Sequence, residues 1–162
     1  MPDDRKPPAT FIDGLAMHIA VACAFITDPE GRPLIVEPNY RDGWLFVGGL
    51  VDRGESPHEG CAREIKEEIG LDLPVGDLLV VDWVARGDRL DMPLTFYLFD
   101  GGVIEDPATI KLQEEELSRF EFLSPDDAIG LLADFNRPRV PLALEARRIG
   151  RTIYQPTHVG AA

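Results

Sequence analysis

The chain is poor in cysteine and lacks long apolar runs. Its 162 residues include two cysteines, and no spacing of cysteine and histidine resembles a disulfide framework or a zinc site. No apolar run approaches the ~18 residues that cross a bilayer, and the N-terminus lacks the apolar segment of a signal peptide. These absences exclude a transmembrane protein and a disulfide-stabilised mini-protein, and they predict a cytoplasmic protein.

Basic residues are scarce relative to acidic ones. Sixteen Lys and Arg stand against 29 Asp and Glu, so the formal net charge is −13. Nucleic acid polymers are usually bound by a basic surface, and anionic membranes repel an acidic protein, so the charge argues against both as partners. A small phosphorylated substrate remains compatible with this charge if divalent cations lie between the two. A homodimer is left open.

Length and composition suit one globular domain, since 44% of the residues are apolar and 28% are charged. We divide the chain into an N-terminal arm over 1–16, a single domain over 17–155 and a C-terminal tail over 156–162. Apolar runs predict strands at 18–27, 33–37, 78–85, 94–99 and 120–123, with a further apolar stretch at 44–51. Capping residues predict helices at 56–70 and 125–132, and a last helix is predicted at 140–149.

This order of elements favours an α/β fold, with a mixed sheet and helices on both faces. The first two strands, separated by a short turn, are close enough to form a hairpin.

One predicted helix concentrates negative charge on one face. At about 100° per residue, Glu64, Glu67 and Glu68 share an arc of about 100°. Like charges at these spacings repel, and the last turns of a helix disfavour anions. A divalent cation would remove the conflict, and oxygen ligands without Cys or His favour Mg²⁺ or Mn²⁺. The alternative is a solvated acidic helix face.

The residues around this face form a recognisable motif. Segment 49–71 reads GLVDRGESPHEGCAREIKEEIGL, and it resembles the Nudix box in every fixed position. The preceding residues also resemble the family's entry into the box, except that Val47 stands where the family often has proline. The resemblance implies a Nudix-type α/β/α sandwich and Mg²⁺ or Mn²⁺ as cofactor. It also implies hydrolysis of a diphosphate (pyrophosphate) linkage in a nucleoside diphosphate derivative or a related small molecule.

The same resemblance implies roles for particular residues. Arg63 would pair with Glu55 and Glu67 and fix their geometry, and one of the glutamates would polarise the attacking water. An acidic residue downstream often completes such sites, and the spacing favours Glu116, with Glu115 second. The implied metal ligands are Gly49 through its carbonyl, Glu64, Glu67, Glu68 and Glu116, and the implied catalytic residues are Glu64, Glu67, Arg63 and Glu116.

Substrate recognition is the least determined part. The candidates for substrate contact are Arg53 in the motif loop, Arg41 and Trp44. Further candidates are Arg86 and Arg89 for phosphate, and Trp83, Phe96 and Tyr97 for stacking on a base. No subfamily signature is evident, so the particular diphosphate stays open.

Three other functions remain as alternatives: a non-catalytic Nudix-fold ligand sensor, an isopentenyl-diphosphate isomerase-like enzyme, and an acidic interaction module.

Overall fold

The computed structural model describes residues 9–85 and 92–157. The helices are α1 (Ala9–Asp13), α2 (Pro57–Ile69), α3 (Pro125–Leu131) and α4 (Arg139–Ile149). The strands are β1 (Ile19–Thr27), β2 (Leu34–Pro38), β3 (Val47–Leu50), β4 (Leu78–Val84), β5 (Leu94–Val103), β6 (Leu117–Phe122) and β7 (Ile153–Thr157). Within the described ranges, no helix is long and apolar enough to cross a bilayer.

The main sheet is mixed and has five strands in the order β3-β1-β5-β4-β7. Strand β1 pairs antiparallel with β3 and parallel with β5, and β4 pairs antiparallel with β5 and parallel with β7. A second, two-stranded sheet consists of β2 and β6. The predicted α/β fold with a mixed sheet is confirmed.

Two apolar clusters cover the two faces of the main sheet. Successive side chains of β1 point to opposite faces, so Cys23 and Phe25 join one cluster while Ala24 and Ile26 join the other. Helix α4 packs on the first face and α2 on the second. The near-continuous apolar run of β1 therefore reflects a strand that is buried on both sides, as predicted.

The predicted hairpin between the first two strands is wrong. They meet only at an isolated bridge between Thr27 and Pro33. Both edges of β1 are already occupied by β3 and β5, so β2 pairs with β6 instead, with Leu34 opposite Phe122.

Strand β7 was not predicted, because its side chains are largely exposed and give no apolar run; Tyr154 is 64% exposed. This strand crosses the predicted domain boundary at 155, and the division into arm, domain and tail stays a prediction.

Helix α2 begins and ends at the predicted residues. The Ser56 side chain accepts a hydrogen bond from the Glu59 amide, and the Glu59 carboxylate accepts one from the Ser56 amide, which completes a capping box. Gly70 caps the other end. Cys61, Ile65 and Ile69 are fully buried against the sheet. Their burial fixes the rotation of the helix about its own axis, so its acidic face is directed toward β3.

Candidate active site

Two consecutive glycines bring β3 close to both β1 and α2. Gly48 has φ 138°, and a Cβ at this position would lie 2.4 Å from the Ala22 carbonyl oxygen. A Cβ at Gly49 would lie 2.7 Å from Oε1 of Glu64. Because neither residue carries a side chain, the backbone of β3 contacts its neighbouring strand and the carboxylate on α2 at the same time.

Glu68 is the most buried carboxylate of the acidic face, with 6% of its surface exposed. Its Oε2 accepts a hydrogen bond from the Gly48 amide at 2.8 Å. The pKa of Glu68 is raised to about 8, chiefly by burial and also by the charges of Glu64, Glu116 and Glu67, against the opposing effect of the Gly48 hydrogen bond. Four carboxylates therefore lie within electrostatic reach of one another.

Glu64 lies between the glycines and the rest of the acidic face. Burial raises the pKa of its carboxyl, the neighbouring Arg63 lowers it, and the charges of Glu67 and Glu116 raise it. Glu67 and Glu116 therefore disfavour the charged form of Glu64 as well as that of Glu68.

Arg63 connects the loop before α2 with the helix itself. Its Nε and Nη2 donate to the two oxygens of Glu55, at 3.2 and 2.8 Å. Its Nη1 donates to Glu64 and to Glu67, both at 2.9 Å, and Nη2 also donates to the Leu50 carbonyl at 3.0 Å. The predicted pairing with Glu55 and Glu67 is confirmed, and the contact with Glu64 is additional.

The donor set suits a hard divalent cation. In the described part of the chain, no three acidic, His or Cys side chains are already gathered in ligand geometry, and Arg63 occupies oxygens of both Glu64 and Glu67. The crowded carboxylates nevertheless offer only oxygen, which Mg²⁺ and Mn²⁺ prefer. A cation would also relieve the repulsion that raises the pKa of Glu68, so the residues fit the implied metal.

The turn that carries Glu116 docks beside the acidic face. The Gln113 amide donates to the Glu68 carbonyl at 3.0 Å, which fixes the turn to the end of α2. On the other side, the Asn39 amide donates to the Glu116 carbonyl at 2.8 Å, and the Asn39 side chain donates to the Glu114 carbonyl at 3.1 Å. Glu115 and Glu116 are both exposed, but the charge of Glu116 acts on Glu64 and Glu68, so Glu116 lies near the acidic face.

Tyr40, which sequence reasoning missed, also lies near this acidic group. Tyr40 is 64% exposed overall, but partial burial of its phenol raises the pKa, and the charges of Glu68 and Glu116 act in the same direction. Its position next to Asn39 in the loop between β2 and β3 gave no signal, because neither residue belongs to the motif.

A cavity of about 780 Å³ opens beside Gly48 and Gly49. Its wall includes Arg41, one of the predicted substrate contacts. The Arg41 guanidinium lies 5.0 Å from the ring centre of Phe135, and its Nε is buried without a hydrogen-bond partner in the described structure. Arg41 is therefore part of the cavity wall, and it holds a buried donor that the described protein leaves unsatisfied.

Most of the other candidates for substrate contact do not line the cavity. Trp44 is buried in the core with 5% exposure, and its ring packs under the Arg119 guanidinium. Arg53 is exposed on the turn before α2, and neither residue lines the cavity.

Among the aromatic candidates, Phe96 lines the cavity, whereas Trp83 and Tyr97 do not. The candidates Arg86 and Arg89 lie outside the described residues.

The inner wall of the cavity holds polar residues that the sequence analysis did not single out. Asn136 and Arg139 both line it and are 2% and 1% exposed. Arg139 donates to Asp82 of β4, which is itself buried. Nothing in the sequence indicates that these polar residues are buried, and this is why the sequence analysis missed them.

Comparisons with known proteins agree with this geometry. The NUDIX domain family model matches residues 16–143. An RNA pyrophosphohydrolase of a Nitratiruptor species is 31% identical over 113 residues, which cover 64% of this chain and 73% of that protein. A MutT-like protein of Streptomyces ambofaciens is 25% identical over 129 residues, covering 80% and 79%. Two RNA pyrophosphohydrolases from Psychrobacter species match over 41% of their own length.

A solved structure shares the fold as well. The crystal structure of the MutT protein from Methanosarcina mazei Go1 superposes with a TM-score of 0.66 and 25% identity, covering 85% of this chain and 98% of that one.

Proposed function

The chain belongs to the NUDIX domain family, and we propose that the acidic face of α2, together with Gly49 and Glu116, is its hydrolytic centre. It is a metal-dependent Nudix pyrophosphohydrolase that cleaves a diphosphate linkage in a nucleoside diphosphate derivative or a related small molecule. The observation that supports this centre best is the convergence of four carboxylates at the double glycine of β3.

The ligands that we propose for Mg²⁺ or Mn²⁺ are the Gly49 carbonyl, Glu64, Glu67, Glu68 and Glu116. When bound, such a cation neutralises charge on phosphate oxygens and makes water a better nucleophile. Glu68 is held by the Gly48 amide and Glu64 packs against Gly49, so both carboxylates have a fixed place. Arg63 holds Glu55, Glu64 and Glu67 in a common orientation, which is the usual task of a residue behind the ligands.

The cavity beside Gly49 is the proposed place for the group attached to the diphosphate. It is large enough for a nucleoside-sized group, and Arg41 places a positive charge in its wall. We further propose that the protein acts in the cytoplasm, where its two buried cysteines, Cys23 and Cys61, stay as thiols.

The names of several relatives suggest a second candidate substrate. They are called RNA pyrophosphohydrolases, which would make the 5′ end of an RNA the substrate here. The net charge of −13 favours a small molecule over a long polyanion. A free nucleotide and a 5′-triphosphate RNA of ten residues or so, assayed side by side, distinguish the two.

The three other functions considered from the sequence are less well supported. A sensor without activity tends to have an eroded motif, and an isomerase on this fold is expected to bring a catalytic cysteine. Both cysteines here are buried, and burial raises the pKa of each thiol, which leaves them poor nucleophiles. An acidic interaction module would not require a capped helix that is aligned with a double glycine.

The test is a panel of nucleoside diphosphate derivatives incubated with Mg²⁺ or with excess chelator. We expect product release only with the metal. Equal turnover in both conditions, or no turnover of any diphosphate with Mg²⁺ present, overturns the proposed function.

A further inference from the structure

Strand β6 forms an open edge of the small sheet. It pairs with β2, and no other strand of the described chain pairs with it. On its far side, β2 is bound to the segment before β3, since Val36 and Leu45 exchange two backbone hydrogen bonds of 2.9 Å. Strand β2 therefore has neighbours on both sides, whereas the outer edge of β6 has none among the described strands.

The hydrogen bonds of Val36 determine which backbone groups of β6 point outward. In an antiparallel pair, the N–H and C=O groups of two opposite residues point either toward each other or away from each other. Both groups of Val36 are bound to Leu45, so those of Phe120, the residue opposite Val36, point away from β2. By alternation the same holds for Phe122, which lies opposite Leu34. The outer edge of β6 thus presents donors and acceptors that no described strand pairs with.

The other edges of the described sheets are less available for pairing. Strand β7 lies at one edge of the main sheet and contains Pro156, which lacks the N–H group that a ladder requires. Strand β3 lies at the other edge, where the Gly48 amide is already bound to Glu68. Strand β6 contains no proline, and its charged residues Arg119 and Glu121 are exposed.

The two exposed charges of β6 are opposite in sign and two residues apart. Arg119 and Glu121 therefore lie on the same face of the strand. The Arg119 side chain is 59% exposed although it binds Glu37, and Glu121 has no ion-pair partner among the described residues. Edges that resist association carry proline or charges that repel a second strand. This edge instead carries two charges that attract an antiparallel copy of the same strand.

The charges also select the register of such a pair. A register shift precedes Arg119, so regular pairing is limited to 119–122, and outward groups must lie opposite outward groups. With Phe120 opposite Phe122, two Glu121 carboxylates face each other and repel. With Phe122 opposite Phe122, Glu121 faces Leu123. With Phe120 opposite Phe120, each Arg119 faces a Glu121 of the other copy, in the closely spaced position of the ladder.

We propose that two copies of this protein associate through β6, in a two-fold antiparallel pair centred on Phe120. The pair joins the two small sheets into one four-stranded sheet, in the order β2-β6-β6-β2, and two Arg119–Glu121 ion pairs flank its centre. Closed two-fold dimers are the commonest oligomers. Because so short a strand contact buries much less than the ~1,600 Å² of a standard interface, we expect a weak dimer.

This dimer does not depend on the proposed function. Neither Arg119 nor Glu121 lines the cavity, and neither belongs to the acidic face of α2. Turnover per chain should therefore be the same in the monomer and in the dimer.

The experiment is sedimentation equilibrium at protein concentrations up to about 1 mM in about 0.15 M salt, which screens the net charge of each copy beyond ~8 Å. The variants are Arg119→Glu, Glu121→Arg and an equimolar mixture of the two. Glu105→Arg is the matched control, because it makes the same charge change at an exposed position outside β6. Thermal melting of each variant reports on the fold.

We expect the wild-type protein to dimerise. Each reversal places like charges opposite each other on both sides of Phe120, so the dissociation constant should rise at least about tenfold. Glu121→Arg should have this effect although it makes the acidic chain less negative, which by net charge alone would favour association. The mixture should dimerise again, since every Glu then faces an Arg. Glu105→Arg should leave the dissociation constant unchanged.

Three results overturn the proposal: a wild-type protein that is monomeric at the highest concentration, a dimer that withstands either charge reversal, and folded reversed variants that stay monomeric when mixed. Arg119 also packs over the Trp44 ring, so Arg119→Glu is the variant that could fail to fold. In that case Glu121→Arg decides alone, because dimerisation as tight as in wild type contradicts the proposed register.

Discussion

Glu68 illustrates how a single residue combines structural and chemical demands. It is buried, it binds the Gly48 amide, and it lies near three other carboxylates. A carboxylate in this position is unfavourable for the fold without a cation, because both burial and like charge disfavour its ionised form. The position is understandable if the residue serves as a ligand.

The first prediction concerns the proposed ligands. Glu67→Gln and Glu68→Gln should each lower turnover by at least about 10²-fold, since a lost ligand removes metal charge at the transition state. Without metal, Glu68→Gln should melt at the wild-type temperature or above it, because the like charges around it are relieved. The measurements are steady-state rates and thermal melts in chelator.

Glu121→Gln is the matched control, because Glu121 is an exposed carboxylate on β6. It should leave turnover unchanged. Unfolding of the Glu68 variant, in place of inactivation, would indicate that this residue is structural.

The second prediction separates orientation from substrate contact at Arg63. Its planar fork holds Glu55 on one side and Glu64 and Glu67 on the other. Lysine keeps the charge but has no fork, so Arg63→Lys should weaken metal binding and turnover by roughly 10- to 100-fold. Relative rates among substrates should stay constant.

A metal titration and a substrate panel test this together. If Arg63→Lys leaves the titration unchanged and reorders the substrates, then Arg63 contacts the substrate and the assignment is wrong.

Some residues could be predicted from the sequence and others could not. Two partners of Arg63, Glu55 and Glu67, were predicted from the motif, because both lie in one helix or in the loop before it. Asn136 and Arg139 lie more than fifty residues from Asp82. Nothing local in the sequence shows that their side chains meet, so only the tertiary structure reveals this group.

At the scale of elements, the meeting of β3 with α2 determines the site. The third prediction contrasts the two glycines of β3. Gly48→Ala should destabilise the fold by at least about 2 kcal/mol, because its Cβ would meet backbone atoms of β1 and because φ is 138°. Gly49→Ala should cost the fold less than about 1 kcal/mol, since its Cβ meets the end of a flexible Glu64 side chain.

The Gly49 variant should lose activity instead, by at least about tenfold, because a displaced carboxylate no longer holds its geometry. Chemical denaturation and initial rates check both variants. Equal destabilisation of the two, or full activity of Gly49→Ala, would contradict the role given to this pair.

Elements with a local signal were predicted well, and those without one were not. The capping box and the terminal glycine delimited α2, and the apolar run marked β1. The pairing of β2 with β6 joins segments about eighty residues apart, whereas proximity along the chain suggested a hairpin with β1. Pairing depends on which strand edges are free, and sequence spacing does not contain that information.

At the scale of the whole molecule, the net charge of −13 repels an anionic substrate, so a cation is expected between the two. The fourth prediction is that Mg²⁺ stabilises the folded protein, because it binds the native site and finds no preformed site in the unfolded chain. At a hundredfold excess over its dissociation constant, the gain should be about 2.7 kcal/mol. Thermal melts across a Mg²⁺ titration measure it.

The double variant Glu67→Gln with Glu68→Gln provides the comparison, and its melting temperature should respond little to Mg²⁺. A response as large as that of wild type would place the stabilising ion elsewhere.

The measurement that tests the central claim most directly is product release from a panel of nucleoside diphosphate derivatives, followed by phosphorus NMR, with the same protein sample in Mg²⁺ and then in excess EDTA. The account predicts cleavage of a diphosphate linkage in Mg²⁺, its loss in EDTA and its recovery when Mg²⁺ is restored. Cleavage that continues unchanged in EDTA, or a wild-type protein that is inert toward the whole panel in Mg²⁺, would contradict it.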